Sequence, residues 1–221
     1  MGRCDPRIEA EDALAWRSRQ RTARAAKAGY LAAEMVSVGA ANTDGHRRPE
    51  TTPERLAPLK LIVKANGTVT AGNAPGVNDG ACAILVGSEA AVTADGLTPR
   101  ARFVASAAVV APRVMGLGPV PASPKALERA GVRIDQMDVR ELNEAFAAQA
   151  IAVLRPPGIA EDRGHGNPNG GAIAPGHRLG ASGARLVTTA VPQFERGGGR
   201  YALPTMCSGV GQGTARVMER V

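Results

Sequence analysis

Apolar strand candidates alternate with helix candidates along the second half of the chain, and this order constrains the fold more than any other feature. The predicted strands are 102–110, 139–142, 201–206 and 213–218. The predicted helices are 124–130, 144–154 and 182–190. Strands that alternate with helices predict an α/β layered fold, in which helices cover a sheet.

The first hundred residues carry weaker patterns. A broken apolar stripe predicts a helix over 7–35, and 38–60 lacks periodicity and is expected to be an exposed excursion. The small apolar run 80–86 fits a buried strand or the end of a buried helix. A boundary is expected within 91–100. Further along, Ser123 is expected to cap a helix that has Pro124 at its first position.

Composition excludes several classes of function. The net charge is +7, but aromatic residues make up 3% of the chain. There is no stacking platform for single strands, so a nucleic-acid partner is not expected, whereas a solvated Arg-rich surface or an anionic small molecule fits the charge. No apolar run reaches the roughly 18 residues of a membrane helix. The three cysteines are widely spaced and predict neither a disulfide framework nor a metal site. The N-terminus has no apolar signal core, so a reducing cytoplasm is the expected location. Because aromatic residues are scarce, the core is expected to consist of Ala, Val, Leu and Ile.

His177 lies inside the glycine-rich run 170–185. Its small neighbours would let backbone or a ligand approach closely, and a neutral imidazole exchanges protons near pH 7. His177 is therefore a candidate acid–base group. A loop histidine bonded to a main-chain carbonyl fits the same pattern.

Cys207 begins a second glycine-rich turn that extends to residue 213. Its thiol would serve as a nucleophile or a base, and the N–H groups of the turn would stabilise an oxyanion. The alternative is a small buried hydrophobe, which is the expected state of Cys82.

Asn143 and Glu144 stand between a predicted strand and a predicted helix, where ligands bind in α/β sheets. Asn143 would orient a water or a carbonyl, and Glu144 would support a neighbouring loop. The pattern alone favours a helix cap with an acidic first turn.

Together these stretches resemble the thiolase family. The matching segments, in family order, are 66–73, 77–81, 143–147, 170–185 and 207–213. The segments 115–121 and 200–203 look most like the bacterial 3-oxoadipyl-CoA thiolases. The resemblance implies a thiolase-like layered α/β fold, a dimer or tetramer, and two parts of this chain. Residues 1–95 would be the remnant of the N-terminal domain, and 96–221 the C-terminal domain.

The resemblance also implies roles for individual residues. His177 would activate a nucleophilic cysteine, and Asn143 would hold the water of an oxyanion hole. Cys207 would move the proton at the substrate α-carbon or on the CoA sulfur. The turn at Gly209 would supply N–H donors, and Glu144 would support a loop. Acyl-CoA and CoA are then substrates, with no cofactor and no metal.

Some features depart from the family pattern. The acyl-carrying cysteine of thiolases lies in a Cys-Gly-Ser-like elbow, and neither Cys4 nor Cys82 has that context. We therefore expect a C-terminal portion that is inactive alone, or a degenerate fragment that binds CoA or a partner chain. In the histidine loop, Pro175 lacks an N–H, and Arg178 would lower the pKa of His177 if it lay close. Pro204 would remove a ladder hydrogen bond from a strand.

Overall fold

The computed structural model describes residues 6–113, 115–155 and 166–221. The helices are α1 (Pro6–Lys27), α2 (Pro53–Leu56), α3 (Glu89–Ala94), α4 (Pro119–Ala130), α5 (Ala147–Leu154) and α6 (Ser182–Gly197). The strands are β1 (Ala101–Val110), β2 (Val139–Leu142), β3 (Tyr201–Cys207) and β4 (Gln212–Arg220). All four strand predictions are confirmed, with each end within two residues of its expected place.

The strands form one sheet in the order β1–β4–β3–β2. β4 runs antiparallel to both of its neighbours, whereas β2 and β3 are parallel. The carboxyl ends of β2 and β3 therefore meet at the same edge of the sheet. Asn143 directly follows β2, and Cys207 is the last residue of β3, so both lie at this edge.

Helices cover both faces of the sheet, which confirms the layered α/β prediction. The cluster beneath α4 contains Ala107, Ala122, Ala126, Leu127, Met137, Leu203, Ala215 and Val217. The cluster beneath α6 contains Val139, Val187, Ala190, Val191, Phe194, Ala202 and Met218. Neighbouring residues of β3 enter opposite clusters because successive side chains of a strand alternate between faces. Alanine and branched residues dominate the core as expected, with Phe194 and two methionines as larger members.

The first helix ends earlier than the expected 7–35 pattern. Its last turn closes with Gly29 at φ 75°, where the backbone N–H of Gly29 donates to the Ala26 carbonyl and that of Tyr30 to the Ala25 carbonyl. This paired capping arrangement uses a left-handed residue, which glycine adopts without strain. The stretch after it is largely irregular, as expected for the excursion.

The predicted cap of the fourth helix is wrong. α4 begins at Pro119, so Ser123 and Pro124 lie inside it. Pro119 has a backbone angle already suited to a first turn, which allows the helix to begin there. The buried Ser123 hydroxyl lies 3.4 Å from Thr205 Oγ1 on β3 instead of capping the helix.

The prediction for the run 80–86 is also wrong. It forms no regular element, and Leu85 and Val86 are 82% and 66% exposed. No described segment pairs with the run as a strand would require. Cys82 is half-buried rather than buried, and its thiol lies 3.6 Å from Thr188 Oγ1.

Pro204 lies in β3, between two paired strands. The pairing of β3 with β4 holds at Tyr201 and Ala202 and again from Thr205 to Cys207. Proline has no N–H to donate, so one ladder bond is absent as expected. Partners on both sides of β3 keep the strand in place.

Candidate functional site

Asn143 extends the parallel pairing of β2 and β3 by one residue. Its backbone N–H donates to the Thr205 carbonyl over 3.0 Å, which lies two residues before Cys207. The Asn143 side chain is fully buried. The strand pairing therefore fixes the position of this amide at the sheet edge.

The histidine loop reaches the same edge by pairing with an extended segment of the first part of the chain. The His177 N–H donates to the Gly76 carbonyl over 2.8 Å, and the His177 carbonyl accepts from Asn78 N over 3.4 Å. Gly176 has φ 96°, and a Cβ there would lie 2.0 Å from Asn78 Oδ1. A side chain at position 176 would be strained by the positive φ and would collide with Asn78, which accounts for the glycine directly before His177.

The structure brings His177 and Asn143 together. Nε2 of His177 lies 3.4 Å from Asn143 Nδ2, and Nδ1 lies 2.7 Å from Ser182 Oγ. Burial lowers the pKa of His177, and the positive charge of Arg185 lowers it further. The imidazole is therefore neutral near pH 7 and able to accept a proton. Sequence reasoning missed both Ser182 and Arg185, which are unremarkable in a helix pattern.

Arg178 does not act on His177 as expected. Its Nη2 lies 2.6 Å from Asp44 Oδ1, so the guanidinium is neutralised by a carboxylate of the excursion. Pro175 is tolerated in the loop because the turn bonds come from the N–H groups of Ala174 and Gly176 on either side of it.

Glu144 is buried and joins three segments. Its carboxylate accepts hydrogen bonds from Ser18 Oγ on α1 (2.8 Å), Asn167 Nδ2 (2.9 Å) and the Ile173 N–H in the histidine loop (3.2 Å). Burial raises its pKa, although these bonds oppose the shift. The interpretation of Asn143 and Glu144 as a helix cap with an acidic first turn is wrong, since α5 begins only at Ala147. Ser18 and Asn167 gave no sequence signal.

Cys207 is buried, and burial raises the pKa of its thiol. It is therefore protonated at neutral pH, and no described hydrogen bond joins it to His177 or Asn143. In the turn that follows, Gly209 is exposed, and Val210 and Gly211 have φ values of 55° and 81°. Cys4 lies outside the described residues.

A glycine contact holds this turn against the loop before α4. A Cβ on Gly213 would lie 2.0 Å from the Gly118 carbonyl carbon, so the two backbones touch. Gln149 then links that loop to the Asn143 turn, because its Nε2 donates to the Gly116 carbonyl and its Oε1 accepts from Ala145 N. The three loops at the edge are mutually fixed.

A buried amide oxygen at the edge has no hydrogen-bond partner among the described residues. Asn143 Oδ1 is buried and makes no hydrogen bond to the described residues. A buried unpaired amide oxygen costs about 1–3 kcal/mol, so a donor such as a water or a ligand would stabilise it.

Among the described residues, no group of His, Cys, Asp and Glu side chains could hold a metal ion. Within the residues that the structure describes, no helix is long and apolar enough to cross a membrane.

A second buried carboxyl lies beneath the site. Glu141 on β2 is fully buried, and neither of its oxygens has a hydrogen-bond partner among the described residues. Burial raises its pKa to about 8, although the nearby Arg185 opposes the shift. Glu141 is therefore mostly protonated at neutral pH.

Glu141 makes the stability of the chain depend on pH. Its folded pKa of about 8 exceeds the unfolded value, so stability is full below the unfolded pKa and falls as the pH rises through 8. Between pH 6 and 8 the wild type should lose about 2 kcal/mol more than Glu141→Gln, at about 1.4 kcal/mol per pKa unit. Urea unfolding at both pH values measures this loss. Glu195→Gln, at an exposed ion pair with Arg100, is the control, and equal losses in wild type and Glu141→Gln would contradict the assignment.

Two family models match the chain. The model described as "Thiolase, N-terminal domain" matches residues 6–90, and the one described as "Thiolase, C-terminal domain" matches residues 97–220. Similar curated proteins include the 3-oxoadipyl-CoA/3-oxo-5,6-dehydrosuberyl-CoA thiolase of Escherichia coli, at 58% identity over 96% of this chain and 56% of that protein. The beta-ketoadipyl-CoA thiolase of Pseudomonas putida is 56% identical over 96% of this chain and 55% of its own length.

A solved structure is similar over the same extent. The human mitochondrial 3-ketoacyl-CoA thiolase in complex with CoA matches with a TM-score of 0.93 and 43% identity, over 97% of this chain and 55% of that one. The chain thus spans about half the length of the curated relatives it matches.

Proposed function

We propose, since this chain belongs to the thiolase family, that it supplies the acid–base half of an acyl-CoA thiolase site. The observation that carries the proposal is the 3.4 Å approach of His177 Nε2 to Asn143 Nδ2. It occurs at the edge where Cys207 ends β3. The reaction is the cleavage of a 3-oxoacyl-CoA by CoA into acetyl-CoA and a shortened acyl-CoA.

His177 and Asn143 would act on the nucleophile and on the substrate carbonyl. The neutral imidazole accepts the proton of a nucleophilic thiol at Nε2, and the resulting thiolate attacks the 3-oxo carbon. A water held at Asn143 Oδ1 would donate to the developing oxyanion. The unpaired state of Oδ1 supports this role.

Cys207 would handle the proton on carbon. When the bond between the α- and β-carbons of the substrate breaks, its electron pair stays on the α-carbon of the departing acetyl-CoA. The Cys207 thiol, kept protonated by burial, gives that carbon its proton. It recovers the proton from the incoming CoA thiol. The CoA thiolate then takes the acyl group from the nucleophilic cysteine, whose released thiolate regains its proton from His177. The N–H groups of the turn at Gly209 would stabilise the acetyl-CoA enolate oxygen.

The proposed substrate is 3-oxoadipyl-CoA. The names of the Escherichia coli and Pseudomonas putida relatives, at 58% and 56% identity, support this choice. An acetyl-CoA acetyltransferase of Syntrophomonas wolfei is 45% identical, which favours a longer acyl group over acetoacetyl-CoA.

The test joins residues 6–221 to the portion of the Pseudomonas putida relative that this chain does not cover. We expect this chimera to cleave 3-oxoadipyl-CoA with CoA, and to act more slowly on acetoacetyl-CoA. The 221-residue chain alone should show no turnover, because neither described cysteine has the context of an acyl-carrying nucleophile. Turnover by the chain alone that Cys207→Ala removes, or a folded chimera without thiolysis, would contradict the proposal.

The assembly state and location remain predictions. We propose a homo-oligomer, dimer or tetramer, for the chimera, which light scattering after gel filtration would measure. A monomer that is fully active would contradict it. We also propose a cytoplasmic location, which cell fractionation would test.

A further inference from the structure

A short line of polar atoms extends behind the His177 ring. Ser182 Oγ lies 2.7 Å from His177 Nδ1 and 2.9 Å from the Arg178 carbonyl oxygen. A carbonyl oxygen only accepts, so the hydroxyl hydrogen of Ser182 is donated to Arg178. The hydroxyl oxygen then accepts from the ring, which requires the hydrogen to be on Nδ1.

The other side of the ring agrees with this assignment. With its hydrogen on Nδ1, the ring has a lone pair at Nε2, which can accept from Asn143 Nδ2. The opposite tautomer would place two N–H groups against each other there. Turning the Asn143 amide over would relieve that clash, but the Ser182 hydroxyl would then donate to Nδ1 and lose its bond to Arg178. The network would keep two hydrogen bonds instead of three.

We propose that Ser182 is a positioning residue, which fixes His177 as the tautomer with hydrogen on Nδ1 and leaves Nε2 as the proton acceptor at the catalytic edge. The tautomer follows from the contacts alone, whereas its importance in the reaction rests on the proposed function. A base held in one tautomer by a third group is a recurring arrangement in nucleophilic catalysis.

The backbone around Ser182 makes it suited to this role. Ser182 is the first residue of α6 and 1% exposed, so water does not compete for its hydroxyl. The N–H groups of Ala181 and Ser182 also donate to the Arg178 carbonyl, over 2.9 and 2.8 Å. This carbonyl is therefore held in the turn that leads into the helix, and shared acceptors of this kind are common at helix ends.

The test reads the tautomer directly in the 221-residue chain. Histidine is labelled with ¹⁵N, and long-range proton–nitrogen correlations are recorded at pH 8. Loss of signals in His177→Gln assigns the residue. We expect a protonated Nδ1 and an unprotonated Nε2 in the wild type.

Two substitutions separate positioning from general support. Ser182→Ala should convert most His177 to the tautomer with hydrogen on Nε2, while Ser182→Thr, which retains the hydroxyl, should keep the wild-type pattern. Ser123→Ala removes another hydroxyl that is 1% exposed and should change nothing. In the active chimera, Ser182→Ala should lower kcat by roughly 10-fold or more with little change in KM, and Ser182→Thr should restore it.

Two results would overturn the proposal. One is a wild-type spectrum with hydrogen on Nε2, and the other is a folded Ser182→Ala chain that keeps the wild-type tautomer. If Ser182→Ala does not fold, the wild-type spectrum and Ser182→Thr decide. Because the spectrum needs no turnover, the expected tautomer together with a folded but inactive chimera would contradict the proposed function and leave the tautomer assignment intact.

Discussion

His177→Gln in the chimera should lower kcat/KM for 3-oxoadipyl-CoA on the order of 10³-fold. Glutamine keeps polar atoms in the same space but cannot accept and release a proton, and general acid–base groups contribute about 10²–10⁴-fold. Steady-state kinetics measures the effect. Since the pKa of His177 is lowered, the wild-type rate should fall off in acid only below the pH expected for an ordinary histidine.

His46 provides the matched control for this substitution. Burial lowers its pKa too, and it lies 3.3 Å from the Gly76 N–H, next to the segment that pairs with His177. No described hydrogen bond joins it to Asn143. His46→Gln should therefore cost no more than one hydrogen bond, about 1 kcal/mol or fivefold in rate. Equal losses in both variants, or none in His177→Gln, would remove His177 from the mechanism.

Glu144→Ala should destabilise the 221-residue chain by about 3–5 kcal/mol. It removes a buried carboxylate that accepts three hydrogen bonds, from Ser18 Oγ, Asn167 Nδ2 and the Ile173 N–H. Each unsatisfied buried group costs about 1–3 kcal/mol, with partial relief from water that enters the space. Urea unfolding followed by circular dichroism gives the free energy of unfolding. Because these bonds join α1 to the histidine loop, Asn143 and His177 should also lose their mutual position.

A surface glutamate tests whether the effect comes from burial. Glu195 forms an ion pair with Arg100 at 2.7 Å, but both side chains are substantially exposed. Glu195→Ala should cost less than about 1 kcal/mol, as exposed pairs do. Glu144→Gln keeps one acceptor oxygen and should fall between the two. A cost of Glu144→Ala no larger than that of Glu195→Ala would show that the network does not hold the loop.

The sheet was predictable because its strands are short apolar runs between loops. The parallel pairing of β2 with β3 brings Asn143 and Cys207 to the same edge of the sheet. The residues of neither strand alone predict that pairing. The run 80–86 has the same local pattern as a buried strand, yet its side chains are exposed. Local pattern therefore identified strand-like segments but not their partners.

At the site, too, some residues are recognisable from the local sequence and others only from their contacts in space. The glycines around His177 indicate a functional loop, whereas Ser182 and Arg185 belong to an ordinary helix pattern. Ser182 acts through its contact with the His177 ring, and Arg185 through its effect on the pKa of His177. Adjacency in sequence predicts that Arg178 lowers the pKa of His177. In space it pairs with Asp44, which is 134 positions away.

The proton on the substrate α-carbon tests the central assignment most directly. Acetyl-CoA is incubated with the chimera in D₂O, and deuterium in its methyl group is measured by mass spectrometry. The wild type should exchange the methyl hydrogens, because the thiolate that Cys207 forms on giving up its proton can take one from the methyl group. Cys207→Ala should slow this exchange by at least about 10²-fold. Cys82→Ala, at the half-buried cysteine whose thiol lies 3.6 Å from Thr188 Oγ1, should exchange like the wild type. Undiminished exchange in a folded Cys207→Ala chimera would contradict the assignment of the α-carbon proton to Cys207.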